Sequence, residues 1–303
     1  MAISRNQLVK ELEPGLNALF GLEYKQYENQ ASEIYVTESS DRAFEEEVML
    51  SGFAQARVKP EGSGVAFDQA EETFTARYTN ETIALAFAIT EEAIEDNLYD
   101  RLASRYTKAL ARSMSQTKQV KGAVPLNTGL PSLTGFTSGD GSQLFATSHT
   151  TIAGTFSNTL ATQADLNETS LEQALIDIAA MTDERGLKIA AKVVKMIVPP
   201  ANQFTAERLM KSQGRVGTAD NDINAVKSMG MIPQGYRVNN FLTDTDSWYI
   251  TTDVPNGMKH FNRAPLTTKM EGDFDTGNVR YKARERYVFG VSDPRGIFGV
   301  EGA

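Results

Sequence analysis

The chain of 303 residues contains no cysteine. That excludes disulfides, thiolate nucleophiles and cysteine-based zinc sites, and it suits a reducing cytoplasm. Positive charge is also short. Thirty Lys and Arg stand against 39 Asp and Glu, a formal net charge of −9. A dedicated nucleic-acid binder needs a basic surplus to neutralise phosphates, so that class is disfavoured. Long apolar runs are missing too. The longest strongly apolar stretch, Ile83 to Ile89, is far too short to span a bilayer. The opening Met1-Ala2-Ile3-Ser4-Arg5 lacks the apolar core of a signal peptide. Hydrophobic residues make up 41% and charged residues 23%, ordinary for a globular chain with one large or two modest cores.

Chemistry-bearing patterns are equally scarce. The chain has two histidines, His149 and His260. A histidine-based triad or metal site must use one of them, and neither lies in a known motif. Asp273-Phe274-Asp275-Thr276-Gly277 faintly resembles a calcium loop, but its twelfth position is Arg284 where a glutamate is needed. Asp220-Asn221-Asp222 reads as a solvated loop. Gly62 with Gly64, and Gly139 with Gly141, fit neither a dinucleotide nor a P-loop pattern, and there is no Gly-x-Ser-x-Gly elbow. No catalytic residue, metal site or cofactor site is assigned, so the reading is non-enzymatic.

What the chain does have is a strand with cations on one face. Over Val279 to Val291, Arg280, Lys282, Arg284 and Arg286 fall on one side. Val279, Tyr281, Ala283, Tyr287 and Phe289 fall on the other, interrupted by Glu285. Cations at period two repel unless acids approach them. Glu45, Glu46, Glu47, Asp68, Glu71 and Glu72 are a remote supply. A plain solvated face is the competing reading.

Element order adds to this. Leu8, Leu12, Leu16, Leu19 and Phe20 recur at helical spacing, and Pro14 divides them into two expected helical pieces. Such a stripe must dock on its own body or on a neighbour. A long hairpin follows: Phe53–Lys59, a Pro60-Glu61-Gly62-Ser63-Gly64 turn, Val65–Asp68, then one extended stretch from Thr73 to Ile89. A long helix is expected from the N-cap Thr90, with Glu91 and Glu92 at its positive end. Its stripe is Ile94, Leu98, Leu102, Tyr106, Leu110 and Met114, and Gly122 stops it. Residues 122–168 are polar and irregular. A second helix begins at Thr169 with Glu172 completing a capping box and Gly186 ending it. Strands are expected at Val193–Val198, Tyr236–Val238 and Trp248–Thr252, with a short helix through Phe204 and Leu209.

This order resembles the major capsid protein of tailed bacteriophages, and the wording is similar to Mu-like major head subunits. The similar stretches include Leu12-Glu13-Pro14-Gly15-Leu16-Asn17, Arg42-Ala43-Phe44-Glu45-Glu46-Glu47 and Ala88-Ile89-Thr90-Glu91-Glu92-Ala93. Arg105-Tyr106-Thr107-Lys108-Ala109-Leu110, Val198-Pro199-Pro200, Asn256-Gly257-Met258-Lys259 and Arg284-Glu285-Arg286 continue it along essentially the whole chain.

The resemblance implies an α+β tailed-phage major capsid fold. Residues 1–40 would form the N-arm, 41–88 an extended β-hairpin E-loop, and 89–164 a peripheral domain with a long spine helix. Residues 165–265 would form an α/β axial domain, and 266–303 would return to the peripheral sheet. The function implied is a structural subunit self-assembling, as hexamers and pentamers, into the icosahedral head shell. The shell would enclose double-stranded DNA without sequence-specific binding. Implied contacts between copies are Leu8, Leu12, Leu16 and Phe20 of the arm, Glu45, Glu46, Glu47, Lys59, Glu71 and Glu72 of the hairpin, and Arg280, Lys282, Arg284 and Arg286 of the strand. Scaffolding, portal and decoration proteins are expected as further partners; no membrane is. The location implied is the virion, with assembly in the host cytoplasm. No N-terminal scaffolding segment is recognised. Some relatives cross-link Lys to Asn; Lys59 is placed like a donor, but no motif here supports that chemistry. An encapsulin-like cellular compartment shell is an alternative of the same class. An alternative of another class is a hydrolytic or metal-dependent enzyme using His149, Asp140 and Asp222.

Overall fold

A computed structural model describes residues 5–90, 92, 99–215, 222–273 and 277–303, with side chains in the first two helices described from Glu13 and from Ala103 onward. Ile94 and Leu98 of the expected stripe, and the capping region at Glu91, lie outside the described residues, as does the Leu102 side chain.

Helix α1 (Arg5–Gln26) runs unbroken through Pro14. The two expected pieces are therefore one. An interior proline removes a backbone hydrogen bond, but the stripe that follows is well covered. Leu16 and Phe20 are buried among Leu110, Ala111, Met114 and Tyr281 of the same chain. Helix α2 (Tyr99–Thr128) is 30 residues long, about 45 Å at 1.5 Å per residue. It does not stop at Gly122. A Cβ there would stand 2.7 Å from the Cβ of Ala31, so this glycine admits a close crossing instead of ending the helix.

Both helices cover a four-stranded sheet of order β1-β10-β11-β4. β1 (Val36–Ser39) runs parallel to β10 (Met258–Gly272), and β10, β11 (Val279–Val291) and β4 (Glu81–Ile89) are antiparallel. The basic strand keeps its expected bounds and alternation, with Val279, Tyr281, Ala283 and Glu285 buried. β10 is additional to the expected strands. Pro265 lies inside it, where its pairing with β11 slips between Ala264 and Thr267. An irregularity of this kind tolerates a residue without an N–H.

The hairpin is built from β2 (Phe44–Leu50) and β3 (Glu72–Thr79). The stretch from Thr73 to Ile89 is two strands in two sheets, broken at Asn80. The buried Asn80 amide donates to the Ser40 hydroxyl at 2.8 Å and the Arg42 carbonyl at 3.1 Å, holding the corner. The segments 53–59 and 65–68, expected as the arms of the hairpin, have no ladder partner among the described residues.

A second sheet has order β12-β9-β7-β8: β7 (Val193–Val198), β8 (Tyr236–Val238), β9 (Trp248–Thr252) and β12 (Ile297–Val300). Period two sends its side chains to two cores. Met196, Val198, Trp248, Ile250 and Phe298 pack with Leu171, Leu175 and Ile178 of α3 (Glu168–Ala180). Ile197, Tyr249 and Ile297 pack with Leu126, Leu130, Phe145, Met258 and Val291. That second core joins the end of α2 and the β10–β11 pair to this sheet. Helix α3 is capped by Asn167, whose side chain and that of Ser170 form the box; it ends at Ala180, before Gly186. The expected short helix is α4 (Gln203–Lys211), and α5 (Ala225–Ser228) follows it.

The sheets divide the chain differently from the expected boundaries. Residues 258–265 belong to the β11 sheet, and the last strand, 297–300, joins β9 in the other.

Candidate assembly interface

The four cations of β11 form an open face. Arg280, Lys282 and Arg284 are exposed and Arg286 is half-buried. Their neighbours on β4 are small: Arg280 lies opposite Ala88, Lys282 opposite Ala86 and Arg284 opposite Ala84. Nothing bulky screens them on that side. Arg280 is paired with Asp273 at the turn between β10 and β11. Among the described residues no carboxylate lies within salt-bridge reach of Lys282 or Arg284. Glu285, which broke the apolar alternation, points the other way. It is 2% exposed and reaches Lys118 of α2 at 3.2 Å. Burial pushes its carboxyl up, against the pull of Lys118.

The acids at the hairpin base are not free to meet those cations. Glu45 accepts from the Ser40 hydroxyl at 2.8 Å. Glu46 lies 3.7 Å from Arg77 of the adjoining strand. Glu47 is paired with Lys259 and accepts from Ser292. Glu71 and Glu72 are exposed, as is Lys59 near the tip. Leu16 at 7% and Phe20 at 2% exposure are buried in their own subunit, which corrects their expected place between copies. The side chains of Leu8 and Leu12 lie outside the described residues.

Apolar exposure was the signal that sequence reading missed. Phe53 is 61% exposed, Val58 94%, Val65 69% and Phe67 98%. All four lie on the unpaired part of the hairpin. An isolated exposed apolar residue is unremarkable, but four large ones on one extension imply a surface meant to be covered.

The residues of the enzyme alternative are only partly brought together. His149 Nδ1 stands 2.8 Å from Asp140, and Nε2 stands 3.0 Å from the Asn158 side-chain oxygen. Both ring nitrogens are therefore engaged, and the ring is 0% exposed. It stacks on Phe156 at 4.9 Å, and the Arg295 guanidinium lies 4.1 Å from the centre of the same ring. Arg295 is in turn held by Glu184 at 2.6 Å and Asp293 at 3.3 Å. This is a buried brace between the polar segment and the second sheet. Asp222 is exposed and lies elsewhere, its carbonyl accepting from the Arg215 N–H.

Solved structures share this arrangement. The capsid of Myoviridae phage XM1 superposes with a TM-score of 0.53 at 14% identity, covering 89% of each chain. A virus-like particle from Pyrococcus furiosus gives 0.51 at 12% identity, covering 94% of this chain and 98% of that one. A chain of Mycobacterium phage Adephagia gives 0.51 at 12% identity, covering 91% of each. At these identities the likeness is one of fold. No curated protein matches the sequence. The sequence model described as phage capsid protein matches residues 72–300. That span takes in β3 of the hairpin, the whole second sheet and every strand of the first sheet but β1, so this chain belongs to the phage capsid protein family and is a structural subunit of a head shell.

Proposed function

We propose that this subunit closes an icosahedral shell around packaged double-stranded DNA by interlocking with copies of itself, and that its hairpin is the main interlocking element. The single observation behind this is the hairpin's uncovered apolar set, Phe53, Val58, Val65 and Phe67. Burying a large apolar side chain is worth about 1.5–3 kcal/mol. A subunit alone forgoes that stabilisation, and a neighbour lying under the hairpin supplies it. Many weak contacts per subunit then multiply through avidity. Glu71 and Glu72 on the same extension are proposed to meet Lys282 and Arg284 of a neighbour, setting register more than strength. Hexamers and pentamers, separate scaffolding, portal and decoration partners, and assembly in the host cytoplasm belong to the same reading. The net charge of −9 suits a wall that holds DNA without adhering to it.

Electron microscopy of purified protein tests this. Closed shells are expected, and replacing residues 53–70 by a short Gly-Ser linker should leave folded subunits that do not close. Shells of normal size from the linker variant would refute the role of the hairpin. Tight binding of duplex DNA by isolated subunits at physiological salt would refute the inert wall.

A further inference from the structure

The hairpin is closely seated at its base and sparsely supported beyond it. We propose that Glu47, Lys259, Ser292 and Tyr78 form a latch that sets the direction in which the hairpin leaves its own subunit, making them positioning residues for assembly. This deepens the interlocking reading and rests on it.

Each strand of the hairpin gives one side chain to the latch. Glu47 comes from β2 and Tyr78 from β3. The body gives Lys259 of β10 and Ser292, just past β11. Lys259 is paired with Glu47 and also with Glu38 of β1 at 3.1 Å. Burial opposes its charge, but the two carboxylates outweigh burial and keep the ammonium protonated. The Ser292 hydroxyl donates to the second oxygen of Glu47. Its only proton is then used, so the Tyr78 hydroxyl donates to Ser292. The chain of donors runs one way, from β3 through the body to β2.

The apolar side of the seat is shaped as closely. The Tyr78 ring lies against Gly290, where any Cβ would overlap it. It meets the edge of Phe261 at a centroid distance of 4.9 Å. Further out, Phe74 rests on Gly139, where a Cβ would stand 2.6 Å from the ring. Glycine is required at both positions for the approach, not for a turn.

Beyond Leu50 such seating thins out to a bond from Arg185 to the Gln69 carbonyl at 2.6 Å. From Leu50 to Glu61 the arm can reach at most about 36 Å at roughly 3.3 Å per residue of extended chain. A rotation of about 10° at the base thus moves the tip by up to about 6 Å, enough to miss a neighbouring site. Partly buried ion pairs contribute little net stability but are geometrically demanding. A latch of that kind fixes an angle better than it strengthens a fold.

The test uses full-length Tyr78→Phe, which keeps the ring and removes only the donor, alongside Glu47→Gln. Hydrogen exchange is read on the unassembled subunit, and particle diameter by electron microscopy after assembly. The expected result is at least tenfold faster exchange over 44–50 and 72–79, unchanged exchange in the second sheet, an unaltered melting temperature for Tyr78→Phe, and a broadened or shifted diameter distribution. Wild-type exchange and diameters from both variants would overturn the latch. Absence of shells from the wild-type protein would instead sink the interlocking reading, while the exchange data would still decide the latch.

Discussion

His149 and Asp140 meet at 2.8 Å in a site where the imidazole is wholly withdrawn from water and the carboxylate nearly so. Asn158 fixes the other side of the ring. Its amide nitrogen donates to the carbonyls of Leu144, Pro294 and Ile297, so its oxygen must face His149. One brace thereby joins the polar segment after α2 to the final turn before β12.

The brace has a pH signature. Burial pushes the Asp140 carboxyl up, but hydrogen bonds from His149 and Ser138, with the charge of His149, outweigh it and hold the group at about 2. An unfolded aspartate titrates near 3.9. A folded value below the unfolded one stabilises fully above about pH 4 and is lost as pH falls through about 2. Asp140→Asn should therefore cost about 2 kcal/mol at pH 7. Denaturant unfolding should show the gap between wild type and variant closing toward pH 2. A gap independent of pH contradicts the assignment.

His260 gives a second signature in a different window. It lies on β10 beside β1, in register with Thr37, whose Oγ1 is 3.2 Å from Nδ1, and it stacks on Phe289 at 4.4 Å. Tyr287 meets its edge, and Lys118 is the nearby charge. Burial, then Lys118, pushes its pKa down to about 4. The unfolded chain binds a proton near 6.5 that the folded chain refuses, so stability falls from about pH 6.5 toward 4, by up to about 3 kcal/mol. His260→Phe keeps the ring stack and cannot titrate. Its melting temperature should fall less than that of wild type between pH 7 and pH 4.5, and equal slopes would refute the point.

Phe20 separates the core from the interface. It is 2% exposed and packs with Tyr281 at a centroid distance of 6.5 Å. Phe20→Ala should destabilise the isolated subunit by about 3–5 kcal/mol. A residue buried only between copies would leave the subunit's stability unchanged. Chemical denaturation of unassembled protein distinguishes the two.

Local pattern carried much of the fold. Strands 193–198, 236–238, 248–252 and 279–291 were legible because apolar runs and strict alternation are local signals. β10 was not, because Pro265 and the slips beside it break the alternation. Pro14 misled in the opposite sense, since the burial of Leu16 and Phe20 outweighs a lost backbone bond. Gly122 was read as a stop because its partner, Ala31, lies far away in sequence. The site suffered from the same distance. The cationic face was visible at period two. That Glu47 is engaged by Lys259, 212 residues away, was not.

The open cations and the remaining acids support the last prediction. Lys282 and Arg284 have no ion-pair partner among the described residues, and Glu71 and Glu72 stand exposed on the hairpin. Arg284→Glu with Arg286→Glu should leave subunit stability nearly unchanged, since among the described residues neither side chain holds an ion pair. Each pair across copies is worth only about 0–1 kcal/mol, but the loss recurs at every contact of a closed shell. Shell yield should collapse. Glu71→Lys with Glu72→Lys added to the reversed strand should restore part of it, and restoration should weaken as salt screens the pairs. Normal heads from the reversed strand alone would show that the basic face meets solvent and nothing else.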